Sequence, residues 1–252
     1  MARRSAEETR TLILEAGLQM LLERGATAGV QHVRLQEVLR SVGLTTGAAY
    51  RIWTDQDDFH RDLAVEMVGL RFAPPVASAQ VAIRTVLDGG GDLEEIARVA
   101  ALDHVTYTSK FHLDPESRDS HAFITALSLR TAAGAWPELR DASAERHHGS
   151  IAAFESLYAA LLTRYGRRLR SPFTVTDFTE AMAALGEGFA IRAAEGLDHP
   201  TYDITGDDAP RGAWTMFGIS ILGLVTAFTE PVDDSARLYT EVPRTDLRPP
   251  TA

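Results

Sequence analysis

The sequence contains no cysteine among its 252 residues. A chain without cysteine cannot form a disulfide framework, and it cannot bind a metal ion through thiolate ligands. The absence is consistent with a reducing compartment, and we expect the protein to act in the cytoplasm.

The sequence also lacks an apolar run that approaches the roughly 18 residues of a membrane span. The nearest candidate, residues 213–228, is interrupted by glycine, serine and threonine, which favours an internal helix. The start of the chain contains Glu7, Glu8 and Glu15 and no apolar signal core. We therefore expect neither export nor a membrane partner.

Excess positive charge is missing as well. The formal net charge is −10, which argues against nonspecific coating of nucleic acid, because that binding depends on Lys and Arg side chains that neutralise phosphates. Residues 1–60 contain seven arginines and eight acidic residues. Between Glu37 and Asp55, however, the only charged side chains are Arg40 and Arg51. Any binding of nucleic acid by this region depends on placement rather than on composition.

Signatures of catalysis are not found. The sequence has no Gly-x-Ser-x-Gly elbow and no Gly-x-Gly-x-x-Gly after a strand. Its eight histidines include no pair at i, i+4 with a carboxylate partner. We expect no enzymatic activity, no cofactor and no metal ion.

One stretch, residues 34–53, has the pattern of a helix-turn-helix. Its first helix has apolar residues at i, i+3, i+4 and i+7, namely Leu35, Val38, Leu39 and Val42. Gly43 ends that helix, and a second helix runs from Thr45 or Thr46 to Trp53. The same pattern fits a helical hairpin in an ordinary core, and this alternative stays open at this point.

In a helix-turn-helix the second helix enters the DNA major groove. Ile52 and Trp53 would pack inward, and small or polar residues would face the DNA. Arginine side chains pair phosphate or guanine, and threonine hydroxyls reach phosphate or base edges. The candidate contacts include the start of the first helix, and they are Arg34, Gln36, Thr45, Thr46, Gly47, Ala48, Tyr50 and Arg51.

Residues 9–59 resemble the amino-terminal domain of the TetR family of transcriptional regulators. The resemblance rests on the run TRTLILEAGLQMLLERG in the first helix and on VGLTTGAAYRIW across the turn. Most members of that family carry Lys at the position of Thr46, Phe at the position of Trp53 and Lys near Gln56, so this chain lacks two phosphate-binding charges that are usual in the family.

Helical periodicity continues along the chain, and no stretch alternates with period two long enough to predict a strand. The predicted fold is all-α with about ten helices. We expect a helix-turn-helix domain at residues 1–54, a connector helix at 55–75, a ligand-binding and dimerisation domain at 76–230, and a loose tail at 231–252. Helices are predicted at 6–24, 93–112, 115–134, 138–168, 175–195 and 211–229, with a polar loop at 197–210.

Aromatic and apolar residues of the second half are candidates for an effector cavity between helices. They are Tyr107, Phe111, Phe123, Leu127, Trp136, Phe154, Tyr158, Met182 and Phe189. Ordinary core packing explains the same residues without a ligand. The family resemblance implies that a cavity exists in this half and that a small molecule entering it weakens DNA binding.

Two helices carry small residues that permit close approach. Residues 179–189 contain three alanines and two glycines, and residues 212–228 contain Gly218, Ser220 and Gly223. Such helices fit a four-helix dimer interface, or else they are central helices of one subunit. The family resemblance favours the dimer.

The sequence thus predicts a homodimeric repressor that binds a palindromic operator in double-stranded DNA and is released by a small apolar or amphipathic effector. Two other classes of function remain open. One is a small-molecule carrier whose DNA-binding head has lost affinity, and the other is an all-α enzyme.

Overall fold

The computed structural model describes residues 4–24, 26–70, 74–131, 134, 136–197, 199–204 and 212–238. These residues form ten α-helices, which confirms the predicted all-α fold. The helices are α1 (Ala6–Arg24), α2 (Leu35–Ser41), α3 (Thr46–Ala49), α4 (Gln56–Gly69), α5 (Pro74–Asp88), α6 (Leu93–Leu113), α7 (Arg118–Thr131), α8 (Pro137–Arg164), α9 (Val175–Ala194) and α10 (Met216–Phe228).

The same residues also form four short strands that the sequence did not predict. They are β1 (Arg167–Leu169), β2 (Thr201–Ile204), β3 (Gly212–Thr215) and β4 (Thr229–Pro231). β1 pairs antiparallel with β4, and β2 pairs antiparallel with β3. Each strand has only three or four residues, which is too short for an alternating pattern to be recognised.

The chain packs as two compact units. The first contains residues 1–72 and 110–149, and the second contains residues 73–109 and 150–252. Helices α6 and α8 contribute residues to both. The domain boundaries predicted after residues 54, 75 and 230 separate functions rather than packed units, and they stay a prediction.

In the first unit, α1 packs on α4 and α7. The predicted span of α1 is confirmed at both ends. A Cβ at Gly17 would lie 3.2 Å from the ring of Phe59, so the absence of a side chain at Gly17 lets α1 and α4 approach closely. Phe59 is fully buried and meets the ring of Trp53 edge-on at 5.2 Å.

A polar cluster joins three parts of this unit. The carboxylate of Asp62 on α4 accepts hydrogen bonds from the indole N–H of Trp53 at 2.7 Å and from Nε of Arg10 on α1 at 3.0 Å. The bond to Asp62 raises the pKa of Arg10. Trp53 is 2% exposed, so its N–H needs an acceptor inside the protein.

In the second unit, the carboxy-terminal segment packs against β1. The buried guanidinium of Arg167 donates to the hydroxyl of Thr229 and to the carbonyl of Ala236, both at 2.8 Å. Leu238 is 5% exposed. This segment thus contacts β1 through Ala236 and buries Leu238, while residues 232–235 and 237 are exposed. The rest of the predicted tail lies outside the described residues, and the loose tail stays a prediction.

Several predicted boundaries are wrong. The last helix begins at Met216 rather than at 211, because the hydroxyl of Thr215 caps it by accepting from Gly218 N–H at 3.0 Å. Part of the predicted polar loop at 197–210 is strand β2. α7 begins at Arg118 rather than at 115, after a turn closed by Ser117 N–H and the Asp114 carbonyl. α8 ends at Arg164 rather than near 168, because the chain turns at Gly166 with φ 61°.

No helix in the described part of the chain is both long enough and apolar enough to cross a membrane.

Replacing Trp53 with Phe keeps an aromatic ring beside Phe59 and removes the N–H that binds Asp62. We expect the free energy of unfolding, measured by urea denaturation, to fall by about 1–2 kcal/mol. Trp136→Phe is the control, because Trp136 is half-buried at the edge of the same core, and it should cost less. Equal losses in both variants would mean that the bond to Asp62 contributes nothing measurable.

Candidate nucleic-acid interface

The turn between α2 and α3 is a Schellman motif. Gly43 has φ 68°, a conformation that glycine adopts readily. Its N–H donates to the carbonyl of Arg40, and the N–H of Leu44 donates to the carbonyl of Leu39 at 2.9 Å. The predicted helix stop at Gly43 is confirmed, and it closes the first half of a helix-turn-helix.

The second helix of this motif is shorter than predicted. α3 ends at Ala49, and the chain continues in turns through Ile52 instead of remaining helical to Trp53. Two amides, of Ile52 and Trp53, donate to the one carbonyl of Ala49, at 2.8 and 2.9 Å. The chain leaves the helix here because Trp53 enters the core and Asp55 caps α4 by accepting from Asp58 N–H at 2.8 Å.

The predicted DNA contacts lie at the surface of the helix-turn-helix. Ala49 and Trp53 are buried behind them, and Tyr50 is 60% exposed. Ala48 is half-buried, and the other candidates are exposed: Arg34, Gln36, Thr45, Thr46, Gly47, Tyr50 and Arg51. Within the described residues, neither Arg34 nor Arg51 forms an ion pair or a side-chain hydrogen bond.

Glu37, an acidic residue of α2 beside this surface, is paired with an arginine. Arg24 at the end of α1 donates two hydrogen bonds to the carboxylate of Glu37 on α2, one of them at 3.1 Å. Hydrogen bonding to Arg24 lowers the pKa of Glu37. Because Glu37 is paired with Arg24, its charge is compensated beside Arg34 and Arg40, in a protein whose net charge is −10.

A further contact was missed by the sequence analysis. Arg34 occupies the N-cap position of α2, but it makes no capping hydrogen bond. The amide of Leu35 donates instead to Oε1 of Gln56 on α4 at 3.0 Å. A cap supplied by another helix leaves no local sequence signal, because the two residues are 21 positions apart.

The nine predicted effector residues do not belong to one compact unit. The first unit contains Phe111, Phe123, Leu127 and Trp136, and the second contains Tyr107, Phe154, Tyr158, Met182 and Phe189. Phe111 stacks on Phe123 at 4.4 Å, and Phe154 stacks on Tyr158 at 5.7 Å. These contacts are what core packing requires, and the effector role of the nine residues stays a prediction.

Two open cavities lie elsewhere on the surface. One, of about 330 Å³, lies between α4 and α8 beside Glu66 and Arg146. The other, of about 350 Å³, lies between α5 and α6 beside Val86 and Glu95. Neither is lined by any of the nine predicted residues. No group of three or more histidine or carboxylate side chains among the described residues is placed to bind a metal ion.

His104 is a polar group inside the second unit. Its Nε2 lies at hydrogen-bond distance, 3.1 Å, from the carbonyl of Gly186 on α9, and its ring lies 4.6 Å from that of Phe217 on α10. Burial lowers the pKa of His104 to about 4, against the opposing effect of the bond to Gly186. The neighbouring His199 lowers this pKa further, and Asp103 raises it. The imidazole is therefore neutral at pH 7.

Comparisons with known proteins support the fold. No protein-family profile and no curated protein matches the sequence. A solved structure assigned to a transcriptional regulator from Rhodococcus sp. RHA1 is similar to this chain, with a TM-score of 0.50 and 14% identity over 74% of this chain and 86% of that chain. A second, assigned to a TetR-family transcriptional regulator from Rhodococcus sp., has a TM-score of 0.45 and 17% identity over 88% of this chain and 98% of that chain.

At 14% identity, the first likeness shows a shared all-helical fold. The likeness leaves the function of this chain open, and that function has to be argued from the chemistry of its own surface.

The low pKa of His104 predicts an acid-sensitive fold. The unfolded chain takes up a proton near pH 6.5, whereas the folded chain does so only near pH 4. Stability from this group is present above pH 6.5 and falls as the pH drops toward 4, by about 3 kcal/mol in total.

The test is urea denaturation at several pH values in this window, for wild type and His104→Gln. The variant should lose less stability than wild type between pH 6.5 and 4, because glutamine has no proton to take up. His148→Gln, at an exposed histidine on α8, should follow wild type. Parallel curves for wild type and His104→Gln would show that His104 does not govern this loss.

Proposed function

We propose that this protein is a non-enzymatic transcriptional regulator of the TetR type, which acts in the cytoplasm as a homodimer on a palindromic DNA operator. It works as a repressor, and a small apolar or amphipathic molecule releases it. The observation that carries the proposal is the helix-turn-helix: Ala49 and Trp53 are buried on its inward side, and Arg34 and Arg51 are exposed on its outward face.

Three features of the surface favour DNA. The small residues Gly47 and Ala48 let the backbone of α3 approach a groove closely. Arg34 and Arg51 supply charges that fit phosphate or guanine. The ion pair between Arg24 and Glu37 compensates a negative charge that would otherwise repel phosphates.

The proposed dimer rests on the composition and exposure of α10. The helix contains no charged residue, and a helix that is apolar on all sides is normally buried on all sides. One side of α10 packs in the second unit through Phe217, Ile221 and Val225. Among the described residues, the side that carries Gly223 is exposed, and a Cβ there would meet no atom within 4 Å. A second copy of α10, with the adjoining α9, would cover this side.

The nine residues predicted to bind the effector are aromatic or apolar, and this character suits an apolar or amphipathic molecule. An effector can release the DNA only if it binds more tightly to the dimer whose helix-turn-helix domains do not fit the operator than to the dimer whose domains do. α4 is the element on which such a change would act, because its residues bind α1, the α2 amide and Trp53.

A carrier protein with a disabled head is the second candidate. The acidic net charge favours it, as does the engagement of Gln56 inside the protein. Salt-dependent, sequence-specific DNA binding separates the two candidates, since a carrier would show none.

Arg51→Ala tests the proposed reading surface. We expect the operator dissociation constant to rise about tenfold and the slope of log affinity against log salt to fall by about one. Arg84→Ala is the control, because it removes the same charge from an exposed position on α5, and it should leave both quantities unchanged. An unchanged affinity in Arg51→Ala would remove Arg51 from the interface.

Gly223→Arg tests the dimer. A Cβ at this position would meet no described atom within 4 Å, so we expect the single chain to tolerate arginine there, whereas two copies would place like charges together. We expect light scattering to give the monomer mass of 27.5 kDa and operator binding to weaken. Val81→Arg, at a residue of α5 that is 67% exposed, should remain dimeric. A dimer in Gly223→Arg would place the interface elsewhere.

A further inference from the structure

We propose that Gln56 is the positioning residue through which α4 sets the first turn of α2, and with it Arg34 and Gln36. Gln56 is the first residue of α4. It lies 21 positions after the amide that it caps, so its effect passes between two helices. The consequence for DNA affinity rests on the function proposed above, whereas the contact itself does not.

The first turn of any helix has amides without intrahelical acceptors, and a side chain normally supplies one. The N-cap residue of α2 is Arg34, whose guanidinium has no acceptor atom. Oε1 of Gln56 takes that role by accepting from Leu35 N–H at 3.0 Å. Without Gln56 this part-buried amide would lose its acceptor.

The other end of the same side chain holds the residue before the N-cap. Nε2 of Gln56 donates to the carbonyl of Val33 at 3.1 Å. Nε2 of His60, one turn later on α4 and 5% exposed, also lies 3.0 Å from that carbonyl. The backbone on both sides of Arg34 is therefore fixed by side chains of α4.

The arrangement converts a displacement of α4 into a displacement of α2. Two hydrogen bonds of about 3 Å from one planar amide cannot both be kept if the first turn of α4 shifts along α2. Arg34 lies between the two bonded residues, Val33 and Leu35. Its position relative to the DNA phosphates therefore follows α4.

The experiment compares Gln56→Ala, Gln56→Glu and the control Gln80→Ala, which changes an exposed glutamine on α5. The first readout is hydrogen exchange of the Leu35 amide in the free protein. We expect exchange to accelerate about fivefold in Gln56→Ala, the effect of losing a helix cap. Gln56→Glu keeps an acceptor oxygen and should hold Leu35 close to the wild-type rate. The amide of Leu21, a buried residue of α1 in the same unit, reports whether each variant is folded.

The second readout is operator affinity as a function of salt. Gln56→Ala should weaken binding about fivefold with an unchanged salt slope, because no charge is removed. An unchanged exchange rate of the Leu35 amide in Gln56→Ala would overturn the inference. If the same variant nevertheless bound DNA more weakly, Gln56 would be a direct DNA contact. If wild type binds no operator, the proposed function fails, and the exchange rates still decide whether Gln56 positions α2.

Discussion

The candidate interface depends on how a helix of four residues is held. α3 is too short to be positioned by an apolar stripe of its own, so its direction is fixed by contacts at its two ends. At the entry, Gly43 closes α2 in a left-handed conformation. At the exit, Asp62 accepts hydrogen bonds from Trp53 and Arg10. The orientation of the exposed face of α3 is therefore set by the half-buried carboxylate of Asp62 at one end and by the turn at Gly43 at the other.

α4 connects these contacts. Asp62 binds the end of the α3 segment, and Gln56, six residues earlier, caps α2. One helix thus holds both halves of the helix-turn-helix and packs on α1 through Phe59. In a regulator, a signal that moves α4 would change both halves together. The same hydrogen bonds fix the backbone beside Arg34 and after Arg51, and so they define where these two arginines leave the surface.

Much of the helix-turn-helix could be predicted from the sequence, because apolar spacing and helix-ending residues are local features of the chain. The apolar spacing from Leu35 to Val42 and the stop at Gly43 identify α2 and its turn. The end of α3 could not be predicted, since Trp53 leaves the helix for a partner on α4. The cap from Gln56 was invisible for the same reason. In the second half, the fold class followed from periodicity, but strands of three or four residues and the grouping of the effector candidates depend on contacts between distant parts of the chain.

The central claim is that the helix-turn-helix reads DNA. The most direct measurement is selection of bound fragments from random double-stranded DNA by the wild-type protein at about 100 mM salt, where nonspecific binding by an acidic protein is weak. The account predicts enrichment of one short palindrome with half-sites about one helical turn or more apart. A fragment pool with no enriched sequence would contradict it and would make a small-molecule carrier the better account of this chain.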